Sequence, residues 1–109
     1  MRMIWALPLA ALLAVAATAA RADEPLRLTL KDHRFTPDRI EVPAGTRQTL
    51  LVRNEDATAE EFDSDDLKRE KVVPAGQEVR VLIGPLKPGE YAFSGEYHAD
   101  TAKGVVVAK

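Results

Sequence analysis

The sequence has no cysteine at any position, so it can form no disulfide, no thiolate metal site and no cysteine nucleophile. Methionine and tryptophan are nearly missing too: Met1, Met3 and Trp5 are the whole supply, and all three fall in the first five residues. There are only two histidines, His33 and His98. No serine–histidine–acid arrangement stands in a fixed relation, which removes the hydrolase chemistry that would need one.

Those first residues belong to a segment with a purpose of its own. Arg2 precedes an apolar run from Met3 to Ala17, and Ala20-Arg21-Ala22 gives the small-x-small pattern of a cleavage site before charge begins at Asp23-Glu24. The pattern predicts a secretory signal peptide over residues 1–22 and a mature domain over residues 23–109, exported to a bacterial periplasm. A retained anchor is the competing reading, disfavoured by the weak hydrophobicity of alanine and by Pro8. With the leader gone the domain contains no sulfur at all. Any metal must then be held by imidazole, carboxylate or backbone oxygen.

Losing Arg2 and Arg21 leaves 13 bases against 17 acids, a net charge of −4. A nucleic-acid partner needs a basic stripe, and that balance argues against one. A domain of this size, with about 60–65% of its unfolded surface buried, is also marginal without a metal or partner.

Period-two alternation runs through Leu26 to Leu30, Ile40 to Val42 and Val79 to Ile83, and further strands are predicted at Gln48 to Arg53, Tyr91 to Phe93 and Gly104 to Ala108. No window holds a helical period. Turn signals separate the runs, among them the repeated phrase Val42-Pro43-Ala44-Gly45 and Val73-Pro74-Ala75-Gly76. The expectation is an all-β fold, an antiparallel sandwich or barrel. From Asn54 to Lys71 eight carboxylates accompany only two large apolar side chains, Phe62 and Leu67, and this stretch is predicted to be mostly solvated loop with one helical turn near Asp65 to Arg69.

Three blocks in order carry a family resemblance: Phe35-Thr36-Pro37 with Ile40 to Thr46; Val52-Arg53-Asn54 followed by Glu60-Glu61-Phe62; and Pro88 to Phe93 leading to His98 and Gly104 to Val107. Together they resemble the cupredoxin superfamily, which implies a Greek-key antiparallel β-sandwich with a metal site at one end. The resemblance puts Glu60 where the first histidine ligand is expected, Gly95 at the cysteine and Ala102 at the methionine, so that only His98 survives. A blue-copper centre needs that thiolate. The wording EEFDSDDLKREK, GPLKPGEY and SGEYH is similar to a cysteine-free subgroup found with bacterial ferrous-iron uptake systems. That likeness implies handling or oxidation of ferrous iron, with iron or copper as the ion, beside an inner-membrane iron permease and an electron-transfer protein.

On this reading His98 is the leading metal ligand. Glu96 lies two residues before it, on the same face if the segment is extended, and Glu60 replaces a ligand outright. Glu61 and Asp63 follow, since only one of Glu60 and Glu61 can point inward along a strand. His33, flanked by Asp32 and Arg34, is expected to be a surface residue, and Tyr97 to pack in the core. The alternative function is a metal-free module that docks by its acidic loop onto a membrane transport partner.

Overall fold

The computed structural model describes residues 24–109, so the expected leader, residues 1–22, and its junction at Asp23 lie outside the described residues. The described residues form nine strands: β1 (Leu26–Lys31), β2 (Arg34–Thr36), β3 (Arg39–Val42), β4 (Gln48–Asn54), β5 (Glu60–Ser64), β6 (Arg69–Val73), β7 (Glu78–Ile83), β8 (Gly89–Gly95) and β9 (Lys103–Ala108). A 3-10 turn, Glu96–His98, joins the last two. Among the described residues no helix is long and apolar enough to cross a membrane.

The strands form two sheets, ordered β2-β1-β4-β7 and β3-β9-β8-β5-β6. They pack face to face as the all-β sandwich predicted from the period-two runs. The expected antiparallel pairing holds for most neighbours, but β1 runs parallel to β4 and β3 parallel to β9, so both sheets are mixed. Alternation puts Leu28, Leu30, Leu50, Val52, Val81 and Ile83 inside from one sheet, and Ile40, Val42, Phe62, Phe93 and Val106 inside from the other. Phe35, Phe62 and Phe93 meet near the end of the sandwich that carries the histidines, with Phe93 ring centroids 5.3 Å from Phe35 and 5.4 Å from Phe62. Both Val-Pro-Ala-Gly phrases end in turns whose glycines sit at positive φ, 76° at Gly45 and 69° at Gly76.

The region expected to be an acidic loop is mostly a hairpin instead. β5 and β6 pair in register from Glu60 opposite Val73 to Ser64 opposite Arg69, closed by a tight turn in which Lys68 N–H donates to Asp65 O and Leu67 N–H to Ser64 Oγ. Its period-two pattern was hidden because the inward positions of β5 are Glu60, Phe62 and Ser64, only one of them apolar. The hairpin turn also ties itself to β8: Ser64 Oγ donates to Ala92 O at 2.7 Å and Ala92 N–H donates to Asp66 Oδ2 at 2.9 Å.

Candidate metal centre

Glu60 is the first residue of β5 and points into the end of the sandwich, where it is 1% exposed. A carboxylate taken out of water must be compensated by hydrogen bonds. Glu60 Oε1 accepts the N–H of Tyr97 at 2.8 Å and of Glu61 at 3.1 Å, and Oε2 lies 2.6 Å from His98 Nδ1. An ionised carboxylate can only accept, so Nδ1 carries the proton, and in the neutral imidazole Nε2 is then the nitrogen with the lone pair. The 3-10 turn delivers His98 to this position, braced by Ala102 N–H and Thr101 N–H donating to His98 O.

Gly95 makes room for that carboxylate. A Cβ at residue 95 would lie 2.6 Å from Glu60 Cδ and 2.8 Å from Ala102 Cβ. The space that a side chain would need at residue 95 is therefore filled from the other strand by Glu60.

His33 also belongs to this cluster, contrary to the expectation of a solitary surface histidine. Asp32 and His33, at φ 51° and 58°, are the two central residues of the β1–β2 hairpin, the positive-φ pair of a type I′ turn. That turn lays the His33 ring flat on His98, with centroids 3.6 Å apart and planes 13° from parallel. His33, Glu60 and His98 each offer a ligand atom within 4.8 Å of the others. Sequence reasoning missed His33 because its neighbours are charged and its contact lies on a distant strand. The turn signal was weak as well: Asp-His is not the usual Asp-Gly or Asn-Gly.

The remaining predicted site residues lie elsewhere. Glu61 and Asp63 alternate with Glu60 on β5 and so face the outer side of the sheet, beside Glu70, in a second group of carboxylates. Glu96 joins them. The segment from Glu96 to His98 is a 3-10 turn and not extended, so residues two apart do not share a face, and Glu96 approaches Asp63 instead of His98. Hydrogen bonding to Asp63 and repulsion from its charge hold the Glu96 carboxyl above the ordinary carboxylate value. Tyr97 is 51% exposed and not part of the core. Loss of solvent around its hydroxyl, followed by the charge and hydrogen bond of Glu61, raises that hydroxyl above its ordinary value.

The donor set at the inner cluster is two imidazoles and a buried carboxylate, which suits copper(II), zinc, iron(II) or manganese(II) by chemical type. The residues present therefore fit a borderline divalent ion. They do not fit a blue-copper centre, since no thiolate exists to complete one.

The fold agrees with comparison to known proteins. The cupredoxin-like domain family matches residues 3–108, and the chain belongs to that family. An uncharacterised protein of Rickettsia prowazekii (strain Madrid E) is 44% identical over 82 residues, which cover 75% of this chain and 66%, just under two thirds, of that protein. The metal-binding domain of the copper(I)-exporting P-type ATPase CopA of Streptococcus pneumoniae D39, solved with Cu(I), is similar in structure with a TM-score of 0.66 at 14% identity, covering 78% of this chain and 84% of that one. Amicyanin of Paracoccus versutus gives 0.62 at 15% identity over 84% and 90% of the two chains. A purple cupredoxin of Nitrosopumilus maritimus gives 0.60 at 16% identity over 77% and 99%.

Proposed function

We propose that this is a periplasmic metal-binding cupredoxin-like protein that holds a divalent iron or copper ion at the His98 end and serves ferrous-iron uptake. The observation that carries the reading is the convergence of both histidines on one buried carboxylate, Glu60. Two imidazoles stacked on each other beside a buried acid have no packing role that apolar side chains would not fill better. His33 and His98 would hold the ion with Glu60 as ligand or as the anchor of His98. A bound iron or copper would supply one-electron redox capacity. Rings held face to face at 3.6 Å cannot both aim in-plane lone pairs at one ion, so loading requires one of them to tilt.

The copper named for the pneumococcal domain supports an ion in this fold. The leader pattern supports export, and the subgroup resemblance supports an inner-membrane iron permease and its electron-transfer protein as partners. Calorimetric titration of residues 23–109 with ferrous iron, manganese(II) and cupric ion tests the reading. Saturable one-to-one binding lost in His98→Ala is the expected result, and no binding of any of the three overturns it. The outer carboxylates Glu61, Asp63, Glu70 and Glu96 favour a second reading, a metal-free module docking onto a basic membrane partner, and that reading would then stand.

A further inference from the structure

We propose that Asp56 is a positioning residue that makes His33 the second imidazole of the ion site; the inference rests on the metal-binding reading above. The β1–β2 turn could place His33 in many rotamers at the surface, where its side chain is 41% exposed. Asp56 reaches across from the chain after β4 and clamps the turn by accepting both of its central amides, Asp32 N–H on Oδ1 at 2.6 Å and His33 N–H on Oδ2 at 3.0 Å.

A turn clamp needs no more than those two bonds. Asp56 does more, because Oδ2 also lies 3.4 Å from His33 Nδ1, and that nitrogen is buried with no hydrogen-bonding partner. With Asp56 Oδ2 the acid that faces Nδ1, the neutral ring is favoured in the tautomer that carries its proton on Nδ1 and its lone pair on Nε2. Glu60 does the same for His98 at 2.6 Å. The site is thus a pair of carboxylate–imidazole dyads stacked on one another, each acid set against Nδ1 of its ring. Carboxylates in that relation select the ring's tautomer and raise its basicity as a ligand.

Asp56 is itself held rigidly. Its N–H donates to Asn54 Oδ1 at 2.9 Å, and fully buried Asn54 donates through Nδ2 to Thr58 O at 2.8 Å and Val73 O at 3.0 Å. The last residue of β4 therefore sets the position of Asp56, which sets that of His33.

The test is a double-mutant cycle on residues 23–109, read by cupric-ion affinity and by pulsed electron paramagnetic resonance, which counts coordinated imidazoles. The wild-type domain is expected to show two imidazoles and His33→Ala one. Asp56→Asn is expected to weaken cupric binding about 10- to 100-fold and to lose the second imidazole signal. In the His33→Ala background the same substitution should change affinity no further, because Asp56 acts only through His33. Wild-type affinity with two imidazoles in Asp56→Asn overturns the proposal. So does an equal loss in both backgrounds, which would mean a purely structural clamp. If Asp56→Asn does not fold, Asp56→Ser keeps an acceptor for one turn amide and carries the same expectations. Binding by His98→Ala and His33→Ala that matches wild type would instead overturn the ion site itself.

Discussion

The carboxylate of Glu60 occupies the volume that a side chain on Gly95 would need, with the Glu60 Cδ only 2.6 Å from the position of a Cβ at residue 95. The two positions are coupled: an acid can be buried on β5 because β8 ends in a residue with no side chain. A side chain at 95 and the Glu60 carboxylate compete for the same volume in this backbone.

Gly95→Ala is therefore expected to cost about 1–3 kcal/mol by overpacking, the range for inserted methyl groups in a well-packed interior. Ala102, fully buried on the other side, blocks the escape. Urea denaturation of the variant checks this, and a midpoint equal to wild type would show that Glu60 can move aside freely. Gly95→Cys should be destabilised at least as much and should show no intense blue band with cupric ion, since its thiol and the Glu60 carboxylate compete for one space.

Glu60→Gln keeps the volume and one acceptor but sets an amide N–H₂ or a single carbonyl against three donors. Leaving a buried donor unpaired costs about 1–3 kcal/mol, and His98 loses the group that fixes its tautomer. Lower stability and at least a tenfold loss in cupric or ferrous affinity are expected by thermal unfolding and calorimetry. Unchanged affinity with reduced stability would make Glu60 a purely structural acid.

The strands with apolar inward faces were legible because period-two burial is written directly in Leu26 to Leu30 and Val79 to Ile83. β5 was not, since its buried positions include Glu60 and Ser64, and β6 buries only Val73. The parallel pairings of β1 with β4 and β3 with β9 depend on sheet order, which local pattern does not encode. At the site, the position of His98 followed from the family likeness. Placing Glu96 beside it assumed an extended chain, and the 3-10 turn rotated it toward Asp63. His33 depended on a hairpin whose two positive-φ residues are Asp and His, and on an aspartate from another loop.

The outer carboxylates give a pH-dependent expectation. Asp63, by hydrogen bond and then by charge, raises the Glu96 carboxyl above its ordinary value in the folded state. The folded protein then binds the proton more tightly than the unfolded chain does. Glu96 thus contributes stability that is fully present below the ordinary carboxylate value and is lost as pH rises through the raised one. Glu96→Gln removes that loss. Its thermal midpoint should exceed wild type at neutral pH, and the gap should close in acid. A gap that is constant with pH would mean that the repulsion with Asp63 has no part in stability; because Glu96 is exposed, the shift should be small and reduced by salt.

The ligand chemistry leads to a preference between oxidation states. Cuprous ion is best held by thiolate and thioether, and residues 23–109 contain neither. The inner cluster offers imidazole nitrogen and carboxylate oxygen, donors that favour the divalent ion. Its carboxylate would also add charge attraction that is stronger for a divalent cation than for a monovalent one. Cupric ion is therefore expected to bind more tightly than cuprous ion, the reverse of what a sulfur-lined site would do. Competition against chelators specific for each oxidation state, anaerobically for the cuprous form, measures the two affinities on the same protein. His98→Ala should reduce the cupric affinity by more than the cuprous one, because the divalent ion makes fuller use of the imidazoles. Tighter cuprous binding by wild type, unchanged in His98→Ala and His33→Ala, would place copper away from this cluster and leave the Glu60 end of the sandwich without a part in holding it.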